Sequence, residues 1–124
     1  MAIKHMLQPW MTFGCRQVEQ ELTQPREAWI ATNDCKRAVI TLDVANLTYT
    51  GTACTLHIET AIDPEGSSGW NTLISTASTG NQYIIAEAKN GASYPLQYWV
   101  RWRVDGREAT AWETCFRSSV VVKK

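Results

Sequence analysis

Leu96-Gln97-Tyr98-Trp99-Val100-Arg101-Trp102-Arg103-Val104 is the stretch that decides the fold. Leu96, Tyr98, Val100, Trp102 and Val104 fall on one side of an extended backbone, and Gln97, Trp99, Arg101 and Arg103 on the other. That period of two belongs to a β-strand with one buried face. Outward from it the same pattern recurs. Lys36–Asn46 places Ala38, Ile40, Leu42 and Val44 opposite Arg37, Thr41 and Asp43, and Ala53–Ile62 places Cys54, Leu56, Ile58 and Ile62 opposite His57 and Glu59. Shorter strands are predicted at Trp70–Ser75 and Gln82–Ala88. A hairpin at Asp105-Gly106 leads into a long final strand, Glu108–Val122, carrying Trp112, Phe116, Val120 and Val122.

Turn residues separate these runs. Thr48–Thr52 reads as a turn-bearing link, Asp63-Pro64-Glu65-Gly66-Ser67-Ser68-Gly69 as a loop, Ser78–Asn81 as a connection and Lys89-Asn90-Gly91-Ala92 as a tight turn. Seven or eight short strands without a helical period predict an all-β, antiparallel β-sandwich of jelly-roll or galactose-binding-like layout over residues 27–124. Residues 1–26 read differently. Pro9 and Pro25 interrupt regular structure, so this part is expected to be an extended N-terminal arm or irregular lead-in, with a short strand over Thr12–Val18.

Twelve basic and twelve acidic side chains cancel, so no global field draws nucleic acid or anionic lipid. Apolar runs fall short of the roughly 18 residues that span a bilayer. The start, Met1 to Trp10, lacks the features of a signal peptide, and the expectation is a chain kept in the cytoplasm where it is made. Cys15, Cys35, Cys54 and Cys115 are widely spaced, which predicts structural thiols.

Few residues suggest chemistry. His57 and Glu59 share a strand face without a third partner, and Asp43 and Glu59 are a distant match to a glycosidase pair. Both sets read as surface groups. Asp63 and Glu65 supply too few acids for a calcium loop, and Asn46-Leu47-Thr48 is a chance glycosylation match. No catalytic, metal or cofactor site is therefore expected, nor any small-molecule substrate.

Aromatic residues stand out instead. Among six tryptophans, Trp102 and Trp112 belong to apolar faces, and Trp70 is expected to plug the sandwich end. Trp99, on the polar face beside Arg101, fits a partner interface, a cation–π pair with Arg101 or a sugar platform. The arm carries Ile3, Met6, Leu7, Trp10, Met11 and Phe13, too apolar for a solvated tail. These six with Trp99 and Arg101 are the expected oligomer interface.

Three segments resemble a β-sandwich type that recurs among virion proteins of tailed bacteriophages and related prophage genes. They are Ala28-Trp29-Ile30 followed by Ala38–Val44, then Thr55–Ala61 with Gly69-Trp70-Asn71-Thr72-Leu73, and Gln97–Val104 with Ala109-Thr110-Ala111. The resemblance implies a non-enzymatic capsid decoration, minor capsid, head–tail or tail component present in many copies. Its partners would be further copies of itself and other capsid or tail proteins, and its location the virion. The alternative is a carbohydrate- or ligand-binding sandwich module using Trp99, Tyr94 or Tyr98.

Overall fold

A computed structural model describes residues 2–15, 20–63 and 69–124, without the side chain of Gln20. Nine strands are present among them: β1 Ala2–Cys15, β2 Gln20–Thr23, β3 Ile30–Ala31, β4 Arg37–Gly51, β5 Thr55–Ala61, β6 Asn71–Thr76, β7 Gly80–Glu87, β8 Trp99–Gly106 and β9 Ala109–Lys123. Arg26–Ala28 forms a single 3-10 turn. Two antiparallel sheets result, β1-β9-β4-β7 and β2-β8-β5-β6, with β3 extending the second sheet along β8.

The pairing is nested. β1 pairs β9, β2 pairs β8, β4 pairs β7 and β5 pairs β6, as in one long hairpin rolled up on itself. That is the order of a jelly roll. Among the described residues, only β5 and β6 are both consecutive and hydrogen-bonded to each other. The expected hairpin at Asp105-Gly106 is thus a turn that carries the chain from one sheet to the other. Arg107 N–H closes it on Asp105 Oδ1 at 3.2 Å.

Alternation places the core as expected. Ala38, Ile40, Leu42 and Val44 of β4 face Leu56 and Ile58 of β5 and Val100, Trp102 and Val104 of β8, all buried. Phe13, Trp102 and Phe116 meet ring to ring at 4.7–5.5 Å, contacts worth about 0.5–1.5 kcal/mol each beyond the area they bury. Inward hydroxyls are satisfied: Ser118 donates to Thr41 O at 2.7 Å and Thr114 to Asn46 O at 2.9 Å. β4 runs past the expected link at Thr48 because Thr48, Tyr49 and Thr50 pair with Glu113, Trp112 and Ala111. It stops at Gly51, where φ is +115° and a Cβ would lie 2.8 Å from Glu108 O.

The first residues are where the structure differs most from expectation. Ala2–Cys15 is a full edge strand of the first sheet, in register with β9 from Ala2↔Lys123 to Cys15↔Trp112, rather than a lead-in. Two register shifts, between Met6 and Gln8 and between Gln8 and Met11, break the period of two. Pro9 lies within the second, at the edge of the sheet where a missing N–H costs no ladder bond. The Thr12–Val18 strand begins earlier, and residues 16–19 lie outside those described. Deleting residues 2–12 should therefore cost at least about 3 kcal/mol, since it removes buried Leu7 and bares β9. Urea denaturation of the truncated chain checks this, and an unchanged midpoint would show that β1 lies outside the folding unit.

Candidate functional site

Polar chemistry concentrates on the outer face of the second sheet. Period-two alternation puts Thr55, His57 and Glu59 of β5 beside Asp105, Arg103 and Arg101 of β8, and Glu21 of β2 beyond them. Glu59 is only 3% exposed. Its Oε1 accepts from Arg101 Nε at 3.1 Å and its Oε2 from Arg103 Nε at 3.0 Å. Arg103 Nη1 reaches Glu21 at 3.1 Å and Asp105 at 3.5 Å, and Arg107 pairs with Asp105 at 2.8 Å.

Two tryptophans close this network on one side. Arg101 lies 3.8 Å from the ring centre of Trp70 and 5.5 Å from that of Trp29, and the two rings meet edge to face at 4.9 Å. Trp29 donates its Nε1–H to Gln24 O at 2.8 Å. Arg101 is thus held by a carboxylate and two aromatic faces, none of them Trp99. Trp70 covers a sheet face rather than plugging an end.

Electrostatics follow the geometry. Burial, helped by the like charge of Arg103, lowers the Arg101 pKa against the opposing pull of Glu59. At Arg103 burial again pulls downward, but Glu59, Glu21 and Asp105 outweigh it and the pKa is raised. The hydrogen bond from Arg107 holds the Asp105 carboxyl far below the usual range. Burial first, then Arg103, lowers the His57 pKa, and the buried His57 Nδ1 has no hydrogen-bond partner. Glu59, gripped through both oxygens by Arg101 and Arg103, ties these two side chains of β8 to β5.

The other suggested pairings separate. Asp43 is on the first sheet, bound to Arg117 at 2.7 Å, and does not approach Glu59. Among the described residues no three His, Cys, Asp or Glu side chains converge as a metal site, and no helix is long and apolar enough to cross a membrane. Glu65 lies outside the described residues. All four cysteines are thiols, and burial pushes the Cys54 thiol up to about 11.

The expected interface residues divide into three sets. Leu7 is in the core and Phe13 packs against Trp102 and Phe116, while Arg101 is engaged by Glu59 and Trp70, so these three are not available to a partner. Trp99 is half-buried. Ile3, Met6, Trp10 and Met11 are exposed, Trp10 at 49% with Arg117 4.9 Å from its ring centre and Met11 at 53%. The sequence does not signal that Trp29 and Trp70 form one site, because neither sits in an alternating run. Each has only a positional signal, Trp29 four residues after Pro25 and Trp70 directly after Gly69. No family model matches this chain, and no curated protein is significantly similar to it.

Glu59→Gln should destabilise the fold by about 3 kcal/mol, because two mostly buried guanidiniums lose their shared counter-charge. Chemical denaturation followed by tryptophan fluorescence measures it. Replacing Arg101 and Arg103 by Met in the same chain should recover part of the loss. His57 gives a pH signature of definite sign. Its folded pKa lies below the unfolded value of about 6.5, so its contribution is present above that pH and is lost as the pH falls through the folded-state value. Urea midpoints between pH 7.5 and 5 should fall less in His57→Gln than in the parent chain, and equal slopes would contradict the burial of this imidazole.

Proposed function

We propose that this protein is a non-enzymatic structural β-sandwich that assembles in multiple copies as a virion component of a tailed phage or phage-like particle. The observation that carries the reading is the set of exposed apolar side chains along β1, Met6 and Trp10 on the outer face and Met11 at the edge beside Gln8. Met6, Trp10 and Met11 stay exposed on a strand whose backbone is already held in the sheet. Their position is therefore fixed before any partner arrives, and covering them costs little further chain entropy. Trp and Met at such a site favour a protein partner.

Two further points support it. Jelly rolls are frequent in capsid and lectin domains, an argument from fold likeness alone. The most buried carboxylate, Glu59, holds strands together instead of facing a cleft. The mechanism is geometric: a rigid sandwich presents the fixed apolar edge of β1 to a neighbouring subunit.

Particles isolated by density gradient from cells carrying the gene should contain the protein. The double variant Trp10→Ser/Met11→Ser should keep its denaturation midpoint within about 0.5 kcal/mol of the parent, yet be lost from the particle fraction. A protein absent from particles that instead binds an immobilised glycan through Tyr94 or Tyr98 would establish the carbohydrate-binding alternative.

A further inference from the structure

Three of the four sheet edges are blunted. β1 holds Pro9 and two register shifts, β2 and β3 divide one edge into short pieces, and β6 is bulged opposite Ile58 and Glu59. Proline, bulges and short strands are the devices that keep edges from pairing with other chains. β7 has none of them. Its register with β4 is unbroken from Arg37↔Glu87 to Val44↔Gly80, and Gly80–Ala86 contains neither charge nor proline.

Which backbone groups stand open follows from the bonds at its end. Glu87 N–H donates to Tyr94 O at 3.0 Å and Glu87 O accepts from Leu96 N–H at 2.9 Å, both away from β4. Ala88 N–H turns the opposite way, to Lys36 O at 2.9 Å. Backbone groups alternate sides along a strand, so Ile85, Tyr83 and Asn81 direct N–H and C=O to the open edge. Their side chains share the outer face, with Tyr83 70% and Ile85 46% exposed.

We propose that β7 pairs antiparallel with β7 of a second copy about a two-fold axis at Tyr83, joining their four-stranded sheets into one continuous sheet. In that register Tyr83 bonds Tyr83 of the second copy, and Asn81 and Ile85 exchange bonds with Ile85 and Asn81 of the second copy. Every open N–H and C=O of the three residues is then satisfied by its own counterpart. Charge favours the same occupant. The paired segment is neutral, and Glu87 lies beyond it beside Lys89 at 3.5 Å, so no like charges meet. The pairing stands independently of the virion reading, which rests on β1.

Sedimentation equilibrium of the full chain up to about 1 mM tests the pairing, that being the range of the weakest specific association. A dimer is expected, and Tyr83→Lys/Ile85→Lys should weaken it by about tenfold or more through like charges brought together at the axis. Both positions are exposed, so circular dichroism and the urea midpoint of this variant should match the parent. Cysteine scanning fixes the register. Under mild oxidation Tyr83→Cys should yield a covalent dimer linked 83 to 83 in peptide mapping, whereas Asn81→Cys alone should not, its counterpart being four residues away. A chain that is monomeric throughout the range overturns the proposal. So does a dimer indifferent to the lysine substitutions, or one that crosslinks through Asn81→Cys alone.

Discussion

The buried amide of Gln24 ties the two sheets together at one end. It is 2% exposed, and every polar group it has is engaged. Nε2 donates to Leu7 O at 2.7 Å and to Ala28 O at 3.2 Å, while Oε1 accepts from Trp102 N–H at 3.2 Å. Its backbone N–H donates to Trp102 O at 3.1 Å and its carbonyl accepts the Trp29 indole. β1 of one sheet, β8 of the other, the 3-10 turn and the Trp29–Trp70 cover all meet at this residue. An apolar side chain of the same size would fill the space but leave Leu7 O and Trp102 N–H without partners, and buried groups in that state cost about 1–3 kcal/mol each. Trp102 depends on the same end of the molecule twice, because its Nε1–H donates to Gln8 Oε1 at 3.0 Å. The side chain at the centre of the aromatic core is thus oriented from β1.

Polar and apolar residues have exchanged their usual places at the two outer faces. On the second sheet, charge is packed down: Glu59 holds Arg101 and Arg103, and Arg101 is roofed by indoles. On the first sheet, apolar side chains stand out: Met6 and Tyr83 flank the Asp43–Arg117 and Thr41–Ser119 pairs around a groove of about 360 Å³. Such a hydrogen-bonded charge network holds its strands in fixed relation. The exposed aromatic and thioether groups provide contact area on that rigid frame.

Most of the sandwich was legible because β4, β5, β8 and β9 bury one face each, and burying one face imposes alternation on the sequence. What stayed hidden has specific causes. β1 is an edge strand in which Leu7 is buried out of step with Met6 and Gln8 at a bulge, so its apolar residues follow no single period. β2 and β3 are too short for a pattern to develop. The Glu59 clamp is half legible: alternation places Glu59 on one face with His57, but it is buried rather than a surface group, because its partners sit on β8 and only sheet topology brings them to it. Gln24 carries no signal at all, since nothing local distinguishes an amide that bonds across the core from one in water.

Nesting also determines how the chain finds its fold. β5 and β6 lie closest in sequence, whereas joining β1 to β9 closes a loop of nearly the whole chain. The entropy of closure grows slowly with length, about 0.6 kcal/mol per doubling, but it must be met before distant contacts give anything back. Pairing is therefore expected to proceed outward from β5–β6 through β4–β7 and β2–β8, with β1–β9 last and the whole process slow. Until that final pairing, Trp102 lacks the Gln8 bond to its indole and the Phe13 ring beside it. The aromatic core is thus completed by the strand that arrives last.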